Sequence, residues 1–195
     1  LRVLGEEQKD RALRTALKTD RGPSSRVRFD VDPEAFSAIP GAPFAYWVSR
    51  SIRELFSALP AFGSGGRAVL SGGKTLDDFR WIRASWERLT TQEGRWPGYA
   101  KGGAYSSFYA DIYLRLDWRE AGRSLKSYLV DYRESRGWSP NWTAELHGSE
   151  AYFRPGLTWP RRTSGLSFRA MPRGCIFGDK GPGAFVEGDE SDTLL

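Results

Sequence analysis

The chain reads as an α+β protein: a helical N-terminal part followed by a mixed strand and helix domain with an open or curled sheet. Three observations predict it. Apolar residues recur at helical spacing through the first half, Ile112, Leu114, Leu116 and Trp118 alternate with polar partners, and the chain turns strand-rich from Ala151 onward.

In chain order, Leu4–Lys18 is charged, with Leu13, Ala16 and Leu17 at helical spacing, and predicts a surface helix. Lys18–Ser25 breaks it with turn chemistry. Asp32, Pro33 and Glu34 supply a capping carboxylate, a first-turn proline and an acid for the positive end of the dipole, so a short helix starts there and stops before Ile39-Pro40-Gly41. Pro43 opens a longer helix in which Phe44, Trp47, Val48, Ile52, Leu55, Phe56 and Leu59 form an apolar stripe expected to be core. Phe62–Gly73 carries five glycines but neither the Gly-Lys-Ser/Thr of a phosphate loop nor GxGxxG, and is expected to be a flexible connection. Thr75 with Asp78 resembles a capping box leading a helix through Phe79, Ile82, Trp86 and Leu89.

Trp96–Trp118 is the most distinctive stretch. Trp96, Tyr99, Tyr105, Phe108 and Tyr109 flank Lys101-Gly102-Gly103, where missing side chains permit a close approach or φ > 0. A cation on such a loop among aromatic faces suits a polyanion; half-buried core aromatics around a hairpin turn are the structural alternative. After the strand at Ile112–Trp118, Leu125, Tyr128, Leu129 and Tyr132 mark an amphipathic helix that Gly137 ends. Tyr152–Trp159, bracketed by Pro155 and Pro160, reads as an edge strand or exposed loop. Leu166, Phe168 and Ala170 alternate, and a turn at Pro172–Gly174 leads to Cys175–Phe177. Arg154, Arg161, Arg162, Arg169 and Arg173 crowd this last region.

The balance of charge supports an anionic partner. Net charge is +5, and four of the 24 acids, Glu187, Asp189, Glu190 and Asp192, cluster at the end, leaving the remainder more basic still. Of the 29 cationic residues 23 are arginine, the side chain suited to bidentate phosphate and guanine contacts, although an arginine-rich coding bias gives the same count. A single Cys175 excludes an internal disulfide, and with only His147 beside it a zinc site of the usual ligands is not expected. No apolar run or signal peptide suggests a membrane, so a cytoplasmic setting is expected. With Met171 as the only methionine, the chain is expected to be a piece of a longer protein, with residues 1–31 ending a preceding region, 32–186 forming the domain and 187–195 an acidic linker or the start of a next element. No nucleophile accompanies His147, and no acid spacing suggests a metal site or a catalytic dyad, so no catalytic residue is assigned.

Taken in order, Phe36–Val48, Thr75–Arg83 with Trp86 and Glu87, Trp96–Gly103 and Tyr152–Trp159 resemble successive blocks of one module. It is the region following the catalytic domain in PglX-like adenine-specific DNA methyltransferases of BREX phage-exclusion systems and in related type II restriction-modification enzymes. The resemblance covers roughly Phe36–Val186, and its order and spacing carry it. It implies a target-recognition domain that grips duplex DNA, while an upstream methyltransferase domain of the same polypeptide binds S-adenosylmethionine and methylates a flipped adenine. Neither that enzyme's Asn-Pro-Pro-Tyr tetrapeptide nor its glycine-rich cofactor loop is present. The fragment is therefore expected to bind rather than catalyse, with no cofactor of its own.

Three departures stand out. Asp78 replaces a usual asparagine, Ser106–Asp111 lacks a usual Arg-Lys pair, and Pro160-Arg161-Arg162 adds charge where DNA would lie. On this reading Lys101, Arg154, Arg161 and Arg162 grip the backbone, and Tyr105, Thr158 and Arg83 are further contacts. The alternative is a protein docking module for other defence-system proteins using the Trp-rich surface, with carbohydrate binding and a standalone hydrolase as lesser readings.

Overall fold

A computed structural model of the chain describes residues 5–18, 31–87 and 95–186. The turn at Lys18–Ser25 beyond Lys18 itself, Leu4, Leu89 and the acidic cluster from Glu187 lie outside the described residues. The chain divides into two compact units, Leu1–Ala61 and Phe62–Leu195. Helices and two four-stranded sheets give the α+β class that the sequence predicts.

The first unit contains α1 (Glu6–Lys18), a 3-10 turn at Pro33–Phe36 and α2 (Arg50–Ala58). Asp32 caps the 3-10 turn by accepting from the Glu34 N–H at 3.0 Å. The helix expected from Pro43 starts seven residues later. Ala42 takes φ 41° and Ser49 is the cap, its hydroxyl accepting from the Ile52 N–H, so residues 43–48 remain irregular. The stripe expected to be core is also corrected. Phe44, Trp47, Ile52, Leu55, Phe56 and Leu59 are all at least half exposed, because the described residues of this unit supply too few apolar partners to cover them.

The second unit holds the core. One sheet has the order β1 (Arg67–Leu70), β8 (Gly183–Val186), β5 (Gly156–Thr158), β6 (Arg169–Met171), all antiparallel. The other is mixed: β2 (Ile82–Ala84), β4 (Leu114–Leu116), β3 (Gly98–Ala100), β7 (Cys175–Phe177), with β3 parallel to β7. The glycine-rich stretch expected to be a flexible connection contains β1, and the segment expected to be an edge strand is β5, paired on both sides. Pro155 and Pro160 flank β5 without entering its ladder, which is why neither proline removes a needed donor.

The helix expected from Thr75 to Leu89 is only α3 (Asp78–Trp81), capped by Asp77 accepting from the Arg80 N–H at 3.1 Å. It gives way to β2 because Ile82 and Ala84 find Leu116 and Leu114 across the ladder. The Thr75–Asp78 pair does form, the hydroxyl donating to the carboxylate at 2.5 Å. The expected later helix is α4 (Arg119–Ser135), with left-handed backbone at Glu120, Ala121 and Gly122 and with Leu125 and Leu129 fully buried. Arg133 from α4 pairs with the buried Glu145 at 2.7 Å. Leu116, Leu146, Met171, Ile176, Phe177 and Phe185 form one buried cluster with Leu125 and Leu129 of α4. Among the described residues no helix is long and apolar enough to cross a membrane.

Candidate nucleic-acid interface

Three short segments meet at one end of β3, β5 and β7. Lys101-Gly102-Gly103 leaves β3, Pro160-Arg161-Arg162 leaves β5, and Asp179-Lys180 leaves β7. Backbone hydrogen bonds tie them together: Gly178 N–H donates to the Ala100 carbonyl at 2.9 Å and Arg161 N–H to the Lys180 carbonyl at 3.0 Å. Gly102 makes this possible. Its φ is +85°, and a side chain there would drive into the Lys180 carbonyl. Both roles foreseen for the Gly-Gly pair therefore occur, but the close approach is to the protein's own backbone.

Together these segments line a cleft of about 350 Å³ bearing Lys101, Arg161, Arg162 and Lys180, with Asp179 as its acid. Arg161, Arg162 and Lys180 are exposed, whereas Lys101 is half-buried and ion-paired with Asp78. Burial pulls the Lys101 ammonium below the usual lysine value and nearby Lys180 adds to this, while Asp179 opposes it. The contact to Asp78 also favours the charged form. Four cations on three loops, unequally matched by acids, make a cradle for an anion such as a backbone phosphate.

Of the seven residues expected at the interface, the fold brings Lys101, Arg161 and Arg162 to this cleft. It uses others internally. The Arg154 guanidinium donates to the Val186 carbonyl at 2.7 Å and lies over the Phe185 ring, pinning β8. Thr158 is buried, its hydroxyl donating to the Gly181 carbonyl at 3.2 Å, so it shapes the loop behind the cleft. Arg83 folds back to donate to the Phe79 and Ile82 carbonyls, closing the end of α3. Tyr105 is exposed beside Ser107, with its hydroxyl 3.0 Å from the serine oxygen. Lys180 was not foreseen; the turn-forming Gly178-Asp179-Lys180-Gly181 run signals an exposed loop, but not which loop it faces. Arg154→Ala is accordingly expected to cost about 1.5–3 kcal/mol of stability, the range for a charge-assisted hydrogen bond, in denaturant unfolding. The same variant should leave any salt dependence of DNA binding unchanged.

No protein-family model matches the chain. Across 203 aligned positions, covering 97% of its length, it is 26% identical to the adenine-specific methyltransferase PglX of Lacticaseibacillus casei (strain Zhang). Across 165 positions, covering 82% of its length, it is 28% identical to the adenine-specific methyltransferase BrxX of Escherichia coli O9:H4 (strain HS). The chain spans only 16% and 12% of the lengths of these relatives. The resemblance drawn from the four sequence blocks is thus borne out, and the chain is similar to one segment of PglX- and BrxX-type adenine-specific methyltransferases.

Proposed function

We propose that this chain is a duplex-DNA recognition module that works as part of a longer adenine-specific methyltransferase. The observation that carries the reading is the convergence of Lys101, Arg161, Arg162 and Lys180 on one cleft in a chain whose relatives are named for that activity. The cations neutralise phosphates and release counterions, which fixes the position of the module on the duplex. S-adenosylmethionine and the methyl transfer belong to the rest of such an enzyme, and no residue of this chain is assigned to either.

Fluorescence anisotropy with a labelled mixed-sequence duplex, titrated at several salt concentrations, tests this. Affinity should fall log-linearly with salt, and Arg161→Ala with Arg162→Ala should flatten the slope by about 0.9 per lost phosphate contact. Absence of binding at low salt, or a slope untouched by the double substitution, counts against the cleft as the grip.

One observation favours protein docking for the first unit: α2 presents Ile52, Leu55 and Phe56, with Leu59 at its C-cap, on an exposed face beside a polar one. A methyltransferase domain, or another protein of the defence system, is the partner that this second reading proposes.

A further inference from the structure

On the other side of the Lys101–Gly103 loop from the basic cleft lies a second cavity, of about 230 Å³. Both cavities are lined by Lys101 and Gly103, so they adjoin across this loop. The second differs in character. Tyr99, Ile112, Tyr113, Leu114 and Ala170 give it mainly apolar walls, and Arg169 and Asp111 bring a donor and an acceptor.

Arg169 is the unusual member. It is 5% exposed, donates through Nη2 to the Gly102 carbonyl at 3.0 Å, and its Nε has no hydrogen-bond partner. Among the described residues no carboxylate is placed in an ion pair with it. Burial pulls its guanidinium below the usual arginine value with no opposing charge to restore it. A buried cation with no carboxylate beside it is costly, and a ligand in the cavity that brings acceptors to the guanidinium offsets part of that cost, while the Nε itself stays sealed from solvent.

We propose that this cavity takes a single guanine base displaced from its stack, with the phosphate of the same nucleotide in the adjoining basic cleft. The proposal rests on the reading of that cleft as a nucleic-acid grip. Guanine presents the O6 and N7 acceptors that an arginine fork engages, and its amino and imino N–H groups suit a carboxylate. Asp111 can take that part: it is exposed and accepts from the Tyr109 hydroxyl at 2.6 Å, leaving a second oxygen. An anion alone fits less well, because Asp111 repels it and the walls offer it little. The volume equals roughly seven or eight waters at about 30 Å³ each, which is more than one phosphate fills. A stacking surface also adjoins. Trp86 lies 6.1 Å from Tyr113 at an interplanar angle of 16°, and both rings are more than half exposed.

The test is an amide NMR titration of the chain with deoxyguanosine monophosphate, deoxyadenosine monophosphate and inorganic phosphate at millimolar concentrations. The guanine nucleotide should shift the Ala110, Ile112 and Ala170 amides, which line this cavity and not the basic cleft, while phosphate should shift those of Arg161, Arg162 and Lys180 and leave the first three unmoved. The adenine nucleotide should bind at least about fivefold more weakly, the low end of what one bidentate pair discriminates. Arg169→Met should abolish that preference and retain the phosphate response, which also reports that the variant is folded; should it unfold, Arg169→Lys removes the fork and keeps the charge. Equal binding of the two nucleotides, cavity shifts with phosphate alone, or cavity amides unmoved by any of the three overturns the proposal. Duplex anisotropy tests the cleft separately, so failure of the guanine site and failure of the DNA-binding reading give different results.

Discussion

Gly102→Ala is expected to destabilise the second unit by about 3 kcal/mol or more and to abolish the DNA binding proposed for the cleft, because two penalties coincide there. The first is conformational: at φ +85° an L-residue pays about 1–2 kcal/mol that glycine does not. The second is steric. The new Cβ would meet the Lys180 carbonyl, which cannot simply retreat because it accepts the Arg161 N–H at 3.0 Å. Relief requires parting the Lys101 and Lys180 loops, which carry cations of the cleft on its two sides. Gly103→Ala separates these effects. Its φ is also positive, at +117°, but nothing lies within 4 Å of the added Cβ. It should therefore cost only the conformational part and leave the salt slope of binding near wild type. Denaturant midpoints and anisotropy on both variants check this, and equal losses in the two would show that the close approach at Gly102 is not what holds the cleft together.

The same pair of glycines shows what was legible in the sequence. That Gly102 and Gly103 permit a close approach or a positive φ could be read from their types; that the neighbour is Lys180 could not, since this contact depends on β3 and β7 lying parallel. Local signals that agreed with their burial survived folding. β4 keeps only Leu114–Leu116 of the strand expected over Ile112–Trp118, since Trp118 already caps α4, whereas α4 follows the spacing of Leu125 and Leu129 and the turn before Cys175 sits where the Pro-Arg-Gly run puts it. Signals outcompeted by pairing partners did not survive. Phe79, Ile82 and Trp86 have helical spacing, yet Ile82 is held in a strand by Leu116, and Phe79 and Trp86 are left exposed.

The basic residues divide in the same way. Arginine after Pro160 is exposed because the chain is leaving β5, whereas Arg154 and Arg169 flank or occupy strands and are drawn inward to backbone carbonyls. Composition counts all of them as one cluster. Only the ladder register separates the exposed pair at Arg161 and Arg162 from Arg154 and Arg169.

Phe177→Ala should have a stability effect as large, with a loss of about 3–5 kcal/mol, against the 5–15 kcal/mol that holds a typical domain together. Phe177 is completely buried at the end of β7. Its ring lies 5.0 Å from that of Phe185 on β8 and meets Tyr152 edge-on at 5.6 Å, so it joins the mixed sheet to the antiparallel one. Its carbonyl also accepts the Gly73 N–H at 3.1 Å, and its strand partner Ala100 immediately precedes Lys101. Truncation would leave a cavity between the Phe185 ring on β8 and the Tyr152 ring that follows the 3-10 turn at Ser149–Ala151, which can close only if one of them shifts. Phe177→Leu keeps most of the volume and should cost about half as much or less. A double-mutant cycle with Phe185→Ala should show coupling of about 0.5–1.5 kcal/mol, the range for an aromatic pair. Additive losses within error would mean that the two sheets are joined elsewhere. In that case Phe177→Ala should leave the loops after β3 and β7 in register, and DNA binding by the folded fraction would persist with its wild-type salt slope.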